Sequence, residues 1–491
     1  MKVLLAAPIT VPMAAAGLAV IVGRWRSLQR VISLTTLVVV AVTAIVILVR
    51  VDSEGTSATQ AGGWPAPIGI TLVADRFAAM MLVISALMLA AVLVYAIGQS
   101  GVDRDHVGFH PVYLLLAAGI SAAFLTGDLF NLFVSFEVML TASYVLLTLG
   151  GRRDQVRTGM TYVVISLIAS VLFLTAVAFV YASTGTMNLA DLASKLDTVP
   201  SAIRQALVLL LLVVFGIKAA IFPLFFWLPD SYPTAPTAVT AVFAGLLTKV
   251  GVYAIIRTQT LLVEPDERPQ ELLLIIASAT MVIGVLGAIA QNDIKRILSF
   301  HIISQIGYMV MGLALFTVAG LAGAILYIVH HIVVKTTLFL TGGLVEHRTG
   351  TGHLDRLGGI VRTTPILAVL FLLPALSLAG VPPFSGFVAK LALVDAGFAD
   401  GNYAVIGVSL LVSLLTLFSM TKIWAGAFWG RPHTSADEQR PVPILMIVPT
   451  AALTVLSLAI AIGAGPLLDL STRAAADLEV RSDYVEAVFG G

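Results

Sequence analysis

Long, uninterrupted hydrophobic stretches dominate the chain, and short polar connections separate them. A membrane-spanning helix needs about 20 apolar residues, and nearly every stretch reaches that length. The stretches are continuously apolar instead of alternating between polar and apolar positions, so the pattern indicates helices and not a β-barrel. We therefore predict an all-α polytopic membrane protein with about fourteen transmembrane helices, at residues 3–22, 31–50, 72–98, 111–127, 129–150, 158–183, 203–228, 236–257, 271–291, 299–316, 320–345, 364–396, 403–429 and 443–466.

Two of these spans are interrupted by proline and glycine. Predicted helix seven contains Pro223 and Pro229, and predicted helix twelve contains Gly380, Pro382 and Pro383. Proline lacks a backbone donor and its ring clashes with the preceding turn, so both helices should kink or unwind there. Broken helices in corresponding positions of two halves are typical of transporters that consist of inverted repeats with a site near the middle of the membrane.

The spacing of the two breaks predicts how the chain divides. The second break lies five helices after the first, and an odd number of helices inverts successive units across the membrane. We expect two antiparallel five-helix repeats whose half-channels meet in the middle. The connection at 188–200 is predicted to hold a short interfacial helix. The predicted units are N-terminal helices at 1–110, repeat one at 111–258, repeat two at 259–430, and a last helix with a polar C-terminal tail at 431–491.

Lysine and arginine are concentrated in alternate connections. The richer set of loops contains Arg24, Arg26, Arg30, Arg104, Arg152, Arg153, Arg157, Lys295, Arg296, Arg348, Arg356, Arg362, Arg431 and Arg440. The poorer set contains Arg50, Lys195, Arg204, Arg257 and Arg268. Because positive residues mark cytoplasmic loops, we predict a cell-membrane protein with both termini outside the cytoplasm. The N-terminal apolar run continues to Val22, which favours a first membrane helix over a signal peptide.

The composition supports a membrane location and excludes several functions. Hydrophobic residues make up 59% of the chain and charged residues only 11%. A net charge of +1 gives no reason to expect nucleic acid as a partner. Since the chain has no cysteine, it has no disulfide, thiolate metal site or cysteine-ligated iron–sulfur cluster. We predict no catalytic residues, no metal site and no cofactor, and the lipid bilayer as the surroundings.

The lysines are distributed differently from the arginines, which lie almost wholly at helix ends and in loops. A charge deep in hydrocarbon costs about 2.5 kcal/mol or more, so a buried ionisable residue is a candidate functional residue. Lysine can lose its proton when it is desolvated, whereas arginine cannot, so buried lysines indicate proton handling. For Lys422, which precedes Trp424, snorkelling of the ammonium group to the membrane interface is an open alternative. The lysines within hydrophobic spans are Lys218, Lys249, Lys335, Lys390 and Lys422.

Glu137 is the only glutamate deep within a predicted span. It follows Asp128 by nine residues, which places it about 13 Å along the helix, close to the middle of the membrane. A lone buried carboxylate would be protonated, but one near a lysine can share or pass a proton. Lys218 is the predicted partner because it lies in the same repeat. A purely structural ion pair is the alternative.

Predicted helix eleven carries two adjacent histidines followed by Lys335. His331 and Lys335 are four residues apart and share a helix face, whereas His330 points about 100° away. A neutral imidazole beside a buried lysine is suited to proton relay near neutral pH. A histidine that only hydrogen-bonds a neighbouring helix is the alternative. His301 and Gln305 add polar groups that could hold water between the two halves.

Taken together, these residues resemble the antiporter-like subunits shared by Mrp-type cation/proton antiporters and respiratory complex I, and the resemblance covers nearly the whole chain. The stretch FPLFFWLPDSYPTAPTAVTAVFAGLLTKVGVYAIIR is most similar to the D subunits of Mrp-type antiporters. The chain lacks the long lateral C-terminal helix of the largest members, and it has Lys390 where one complex I subunit has glutamate. The family's motif falls on Glu137, Lys218, Lys249, Lys335 and Lys390.

The resemblance implies a transporter subunit and not an enzyme, assembled with other Mrp antiporter subunits and exchanging Na⁺ for H⁺. As a hypothesis, a proton enters at the Glu137–Lys218 pair, passes Lys249 and His331/Lys335 along the midplane, and leaves at Lys390. A lysine-lined path repels Na⁺, so we expect the metal ion to cross elsewhere, with coordination of the cation by Glu137 and Asp128 as the alternative. The alternative is a proton-pumping subunit of NADH:quinone oxidoreductase, which would have nearly the same buried residues. A scaffold that has lost transport is a third interpretation.

Overall fold

The computed structural model describes residues 2–103, 108–430 and 440–490. Two of the residues behind the topology prediction, Arg104 and Arg431, lie outside these ranges. Within them, helices make up nearly all of the regular structure, and one antiparallel pair of strands is present, β1 (Ser57–Gln60) and β2 (Thr71–Ala74).

The first half of the chain contains α1 (Lys2–Ile21), α2 (Arg26–Glu54), α3 (Arg76–Gly98), α4 (Phe109–Leu125), α5 (Leu129–Leu147), α6 (Arg153–Thr184), α7 (Leu189–Lys195), α8 (Ser201–Ala219), α9 (Leu228–Ser231), α10 (Thr237–Val242) and α11 (Thr248–Leu261). The second half contains α12 (Gln270–Ile289), α13 (Ile294–Ala314), α14 (Val318–Thr349), α15 (Ile360–Thr363), α16 (Pro365–Ala379), α17 (Ser385–Ala399), α18 (Tyr403–Ile423), α19 (Ile444–Ile462), α20 (Ala464–Glu479) and α21 (Arg481–Phe489).

The described residues contain 12 helical segments that are long and apolar enough to cross a membrane. Two further apolar helices, α4 and α16, are shorter. In one of the twelve segments, α10 and α11 are joined without a break by a π-helical turn at Phe243–Leu247, and α18 ends in a second such turn at Trp424–Phe428. The all-α membrane class is thereby confirmed, while the total of fourteen spans stays a prediction.

Both predicted helix breaks are present. Helix α8 ends at Ala219, and the next residue, Ala220, has a left-handed backbone with φ of 59°. Helix α16 ends at Ala379, the next residue, Gly380, has a left-handed backbone with φ of 86°, and α17 begins only at Ser385. The prediction that Pro229 also breaks a helix was wrong: Pro229 lies in the first turn of α9, where a missing backbone donor leaves no hydrogen bond unmade.

The beginning of predicted helix three is also corrected. Residues 71–74 form strand β2, which pairs with β1 in a hairpin that the sequence analysis did not predict. Helix α3 starts after this strand because Asp75 caps it, accepting a hydrogen bond of 2.8 Å from the backbone nitrogen of Ala78. The predicted short helix within 188–200 is present as α7, which the side chain of Asn188 caps.

Two turns in different halves of the chain share one hydrogen-bonding pattern. Asp128 forms an isolated antiparallel bridge with Asn188, and Asp293 forms the same bridge with His353. Each aspartate also caps the helix that follows it, α5 in the first case and α13 in the second. This likeness is what the predicted inverted repeats would produce. The division into repeats stays a prediction.

The predicted polar C-terminal tail is helical and packed, which corrects the sequence interpretation. Helix α20 lies against α3, α11 and α14, and α21 lies against α7 and β1. We call the surface formed by β1, α7 and α21 the hairpin face and the surface at the other end of the spanning helices the opposite face. Ion pairs join α20 to the start of α3, from Asp477 to Arg76 at 2.7 Å, and to the connection before α12, from Glu479 to Arg268 at 2.9 Å.

The α10–α11 segment, α13 and α14 are almost wholly buried and form the centre of the molecule. Helix α11 approaches the broken end of α8 closely at Gly251. A Cβ atom at this glycine would lie 2.6 Å from the backbone nitrogen of Ala219, so no larger residue fits without displacing the break. This contact brings the helix that carries Lys249 directly against the end of the helix that carries Lys218.

Candidate functional site

Lys218 lies in the last turn of α8, where the helix ends at the proline break. Its side chain is buried, and its Nζ donates hydrogen bonds to the backbone oxygen of Ser166 at 3.4 Å and to the Ser170 hydroxyl at 3.3 Å. The ammonium group also lies 5.9 Å from the centre of the Phe136 ring. A cavity of about 20 Å³ beside Lys218 has room for one water molecule.

Glu137 projects from α5 toward the same region and is half-buried. Its Oε1 accepts a hydrogen bond from the Ser170 hydroxyl. Among the described residues, no ion pair with an N–O distance of 4.0 Å or less joins Glu137 to Lys218. The predicted direct pair is therefore a bridged pair, because Ser170 occupies the space between the two charged groups.

Lys249 is completely buried at the start of α11, directly after the π-helical turn. Its Nζ donates to the backbone oxygen of Ala244, which lies in that turn, and to the hydroxyl of Thr248 at 3.3 Å. A π-helical turn disturbs the regular backbone ladder and is frequent at functional sites. The local defect thus supplies the oxygen that holds this lysine.

Lys335 and His331 lie buried on α14. Among the described residues, neither Lys335 Nζ nor either ring nitrogen of His331 has a hydrogen-bond partner. Their neighbour His330 is hydrogen-bonded through Nδ1 to the hydroxyl of Ser385 at 2.8 Å. Buried polar atoms are nearly always satisfied by protein or by ordered water. Bound water is the partner that these atoms require.

The polar region continues onto α13. His301 is hydrogen-bonded through Nε2 to Ser419 at 2.9 Å, and Gln305 accepts a hydrogen bond from the Tyr327 hydroxyl. One nitrogen of each, His301 Nδ1 and Gln305 Nε2, has no partner in the described part of the chain. His331 interacts electrostatically with Lys249, Lys335 and His301, so the side chains of three helices face one another.

Lys390 lies on α17, past the second helix break. Its Nζ donates to the backbone oxygen of Ala379, the last residue of α16, at 3.1 Å and lies 4.9 Å from the centre of the Tyr308 ring. Free carbonyl groups at a helix C-terminus carry partial negative charge, which favours a cation there. The helix break therefore creates the site for Lys390.

The predicted site residues thus form two groups in the structure. Glu137 and Lys218 are joined through Ser170. Lys249, His331, Lys335 and Lys390 belong to a second group that includes His301 and His330. No side-chain hydrogen bond between described residues connects the two groups, and the packing of α11 against the end of α8, closest at Gly251, brings them together.

The sequence analysis missed three residues at this site. Ser170 and Ser385 hold charged or polar side chains, and Tyr308 lies beneath Lys390. A possible signal was the pair Ser166 and Ser170, which are four residues apart in an otherwise apolar helix and hence share a face. No group of three histidine, aspartate or glutamate side chains in the described ranges is arranged to hold a metal ion.

Lys422 has a different role from the other buried lysines. It is partly exposed, and its Nζ donates to the backbone oxygens of Ile289 at 2.9 Å and Gln291 at 2.6 Å. These oxygens lie at the C-terminal end of α12, on the opposite face. Lys422 therefore caps a helix near the membrane surface and is no member of the central group.

Comparisons with known proteins agree with the fold. Residues 126–416 match the family described as "NADH:quinone oxidoreductase/Mrp antiporter, TM". The chain is 46% identical over 486 residues to the D subunit of the Na(+)/H(+) antiporter of Alkalihalophilus pseudofirmus, with 98% of each chain covered. It is 37% identical over 483 residues to the D subunit of the Na(+)/H(+) antiporter of Bacillus subtilis, again with 98% of each covered.

A solved structure is similar over the whole chain. A chain of the Mrp complex from Dietzia sp. DQ12-45-1b superimposes with a TM-score of 0.93 at 36% identity, with 100% of each chain covered. The family resemblance inferred from the buried lysines and the broken helices is thereby confirmed. The chain belongs to the transmembrane family that NADH:quinone oxidoreductases and Mrp antiporters share.

Proposed function

We propose that this chain is a proton-translocating membrane subunit of a multi-subunit Na⁺/H⁺ antiporter. Two relatives that match it over 98% of both chains are named as D subunits of Na(+)/H(+) antiporters, and a chain of an Mrp complex has the same fold. Its partners are then the other subunits of such an assembly. These similarities favour a transporter over a subunit of an NADH-oxidising enzyme, which the same family also contains.

One observation carries the proposal: basic side chains with unpartnered nitrogens lie at the buried centre of a membrane protein. Lys335 Nζ and both nitrogens of His331 have no partner among the described residues, and both residues have no exposed surface. A buried charge without a counter-ion is costly, so a fixed structural role would have provided one. Groups that gain and lose protons through bound water account for this arrangement.

The two groups of residues perform successive parts of the transfer. A proton that arrives at Glu137 changes the charge of the bridged Glu137–Lys218 pair. The altered field at the end of α8 acts on Lys249, whose helix packs against that end. Protons then move through water between Lys249, His331 and Lys335 and leave past Lys390 at the second break.

The sodium ion takes a different route in this mechanism. The ionisable side chains of the central group are lysines and histidines, and its neutral polar groups include the hydroxyls of Thr248 and Ser385 and the amide of Gln305. Cationic side chains repel Na⁺, whereas proteins bind such hard cations with carboxylate and carbonyl oxygens. The metal ion therefore crosses through another subunit or between subunits. The opposite face is cytoplasmic, in agreement with its positive loops.

Transport by everted membrane vesicles tests the proposal. Vesicles from cells that carry the complete set of subunits should exchange Na⁺ for H⁺ without NADH oxidation. Glu137→Ala and Lys218→Ala should each reduce exchange about 100-fold, the usual contribution of a positioned proton-transfer group. Lys195→Ala is the control, because Lys195 is exposed and pairs with Asp191 at the hairpin face.

The results separate the interpretations. If exchange survives both substitutions in assembled complexes, the proton path does not include this pair. If proton movement requires NADH, the oxidoreductase interpretation replaces the antiporter.

A further inference from the structure

The hydroxyl of Ser170 lies between the two charged groups of the first site. Ser170 belongs to α6, most of whose residues face outward, and is one of the few residues on that helix that are buried. It donates a hydrogen bond to Glu137 Oε1 and accepts one of 3.3 Å from Lys218 Nζ. A single hydroxyl group therefore connects a carboxylate to an amine.

The hydrogen bonds of Ser170 differ from those of serines that bond only within their own helix. Ser121 and Ser135 donate to the backbone oxygen four residues earlier, as serine commonly does within helices. Ser170 leaves the corresponding oxygen, that of Ser166, to Lys218 and directs its own hydrogen toward Glu137. Its donor and acceptor positions are thus both used by ionisable side chains.

The cavity beside Lys218 does not provide the same connection. It is lined by residues that include Phe136 and Ser166 but neither Glu137 nor Ser170. A water molecule in that cavity would therefore contact Lys218 without joining it to Glu137. Among the hydrogen bonds of the described residues, the connection between Glu137 and Lys218 runs through the Ser170 oxygen.

We propose that Ser170 relays the proton between Lys218 and Glu137. This inference rests on the proposed function and adds one residue to its first step. The Lys218 ammonium gives a proton to Ser170 Oγ while the Ser170 proton moves to Glu137 Oε1. The products are a neutral amine and a neutral carboxylic acid, and the serine keeps one proton with its hydrogen bonds reversed. The reverse transfer restores both charges.

Two substitutions of nearly equal shape test the relay. Ser170→Thr keeps the hydroxyl, whereas Ser170→Val replaces it with a methyl group that also excludes water. In everted vesicles with matched amounts of assembled complex, we expect Ser170→Val to reduce Na⁺-dependent proton movement about 100-fold. Ser170→Thr should keep most of the activity and the native pH profile. Thr175→Val is the control on the exposed side of the same helix and should leave proton movement unchanged, because the Thr175 hydroxyl bonds only the backbone oxygen of Val171.

The outcomes distinguish this inference from the function on which it rests. If Ser170→Val exchanges as fast as Ser170→Thr, or if both lose activity equally, the hydroxyl is not a relay and the inference fails. Glu137→Ala is measured in parallel. Loss of exchange in Glu137→Ala together with normal exchange in Ser170→Val overturns only the relay. Normal exchange in Glu137→Ala overturns the proposed path itself.

Discussion

Three of the buried lysines lie at helix ends or at a helix defect, which explains how a cation is tolerated there. Lys390 contacts the last backbone oxygen of α16, and Lys249 contacts a backbone oxygen in a π-helical turn. Lys218 lies in the last turn of α8. Backbone oxygens at helix ends and defects stabilise a positive charge without a carboxylate counter-ion. Since such stabilisation is modest, each of these lysines remains able to release its proton.

Asp103 shows the opposite arrangement, a charge held by fixed partners. It follows α3 and is fully buried, and it contacts Arg30 and the ring of His110, the latter at 2.5 Å. Burial alone would raise the pKa of Asp103, but hydrogen bonds from His110 and Arg30 outweigh it and keep the pKa below its ordinary value. The carboxylate is therefore a structural anion.

This arrangement predicts how stability depends on pH. A carboxylate whose pKa is lowered in the folded state contributes stability above its unfolded pKa, near 3.8, and loses it as the pH falls through the lowered value. We expect Asp103→Asn to cost about 3 kcal/mol at pH 7, because it leaves Arg30 without its partner. Thermal unfolding of the purified complex at pH 7 and at pH 3 measures both effects. If the native protein and Asp103→Asn lose the same stability between pH 7 and pH 3, the assignment of Asp103 as a structural anion is contradicted.

At the scale of secondary-structure elements, the sequence predicted the positions of the helix breaks better than it predicted where the neighbouring helices and strands begin. Gly380 and Pro223 lie at or near breaks because the permissive backbone of glycine and the restricted backbone of proline both act locally. Pro229 gave a wrong prediction because a proline in a first turn does not disturb a helix, and helix beginnings are hard to recognise from sequence. The hairpin β1–β2 depends on pairing between segments, which a hydropathy pattern does not report.

The C-terminal helices were described from sequence as a polar tail for a related reason. Most buried positions of α20, among them Ala474 and Ala475, are small and alternate with charged residues, so the sequence lacks the long apolar run by which spanning helices are recognised. The ion pair of Glu479 with Arg268 joins positions far apart in the chain. Such contacts appear only once the spanning helices have assembled.

Cysteine labelling can test whether this ion pair fixes α20. The chain has no cysteine, so one introduced residue reports its own exposure. Cysteine at Ala475, which is buried, should react slowly with a maleimide, and Arg268→Ala should accelerate that reaction at least about tenfold. Cysteine at the neighbouring exposed Ala476 is the control and should react rapidly in both backgrounds. An unchanged rate at position 475 would show that the pair does not hold the helix.

At the scale of the whole molecule, five of the six predicted site residues came from one physical argument. Lysine or glutamate within a long apolar stretch is rare enough to indicate function. His331 required a second argument, its position one turn from Lys335. The sequence could not show that a serine separates Glu137 from Lys218, because that depends on the packing of α5, α6 and α8. Neutral bridging residues are therefore the part of the site that sequence analysis misses.

The central claim is that the buried lysines act by releasing protons, and a charge-preserving substitution tests it most directly. Proton movement is measured in proteoliposomes that contain the purified complex, with an imposed Na⁺ gradient and no NADH. Lys390→Arg keeps the positive charge but cannot release a proton. Lys422→Arg is the control at a helix cap outside the central group. We predict that Lys390→Arg loses exchange while Lys422→Arg keeps it; exchange at the native rate in Lys390→Arg would contradict the account.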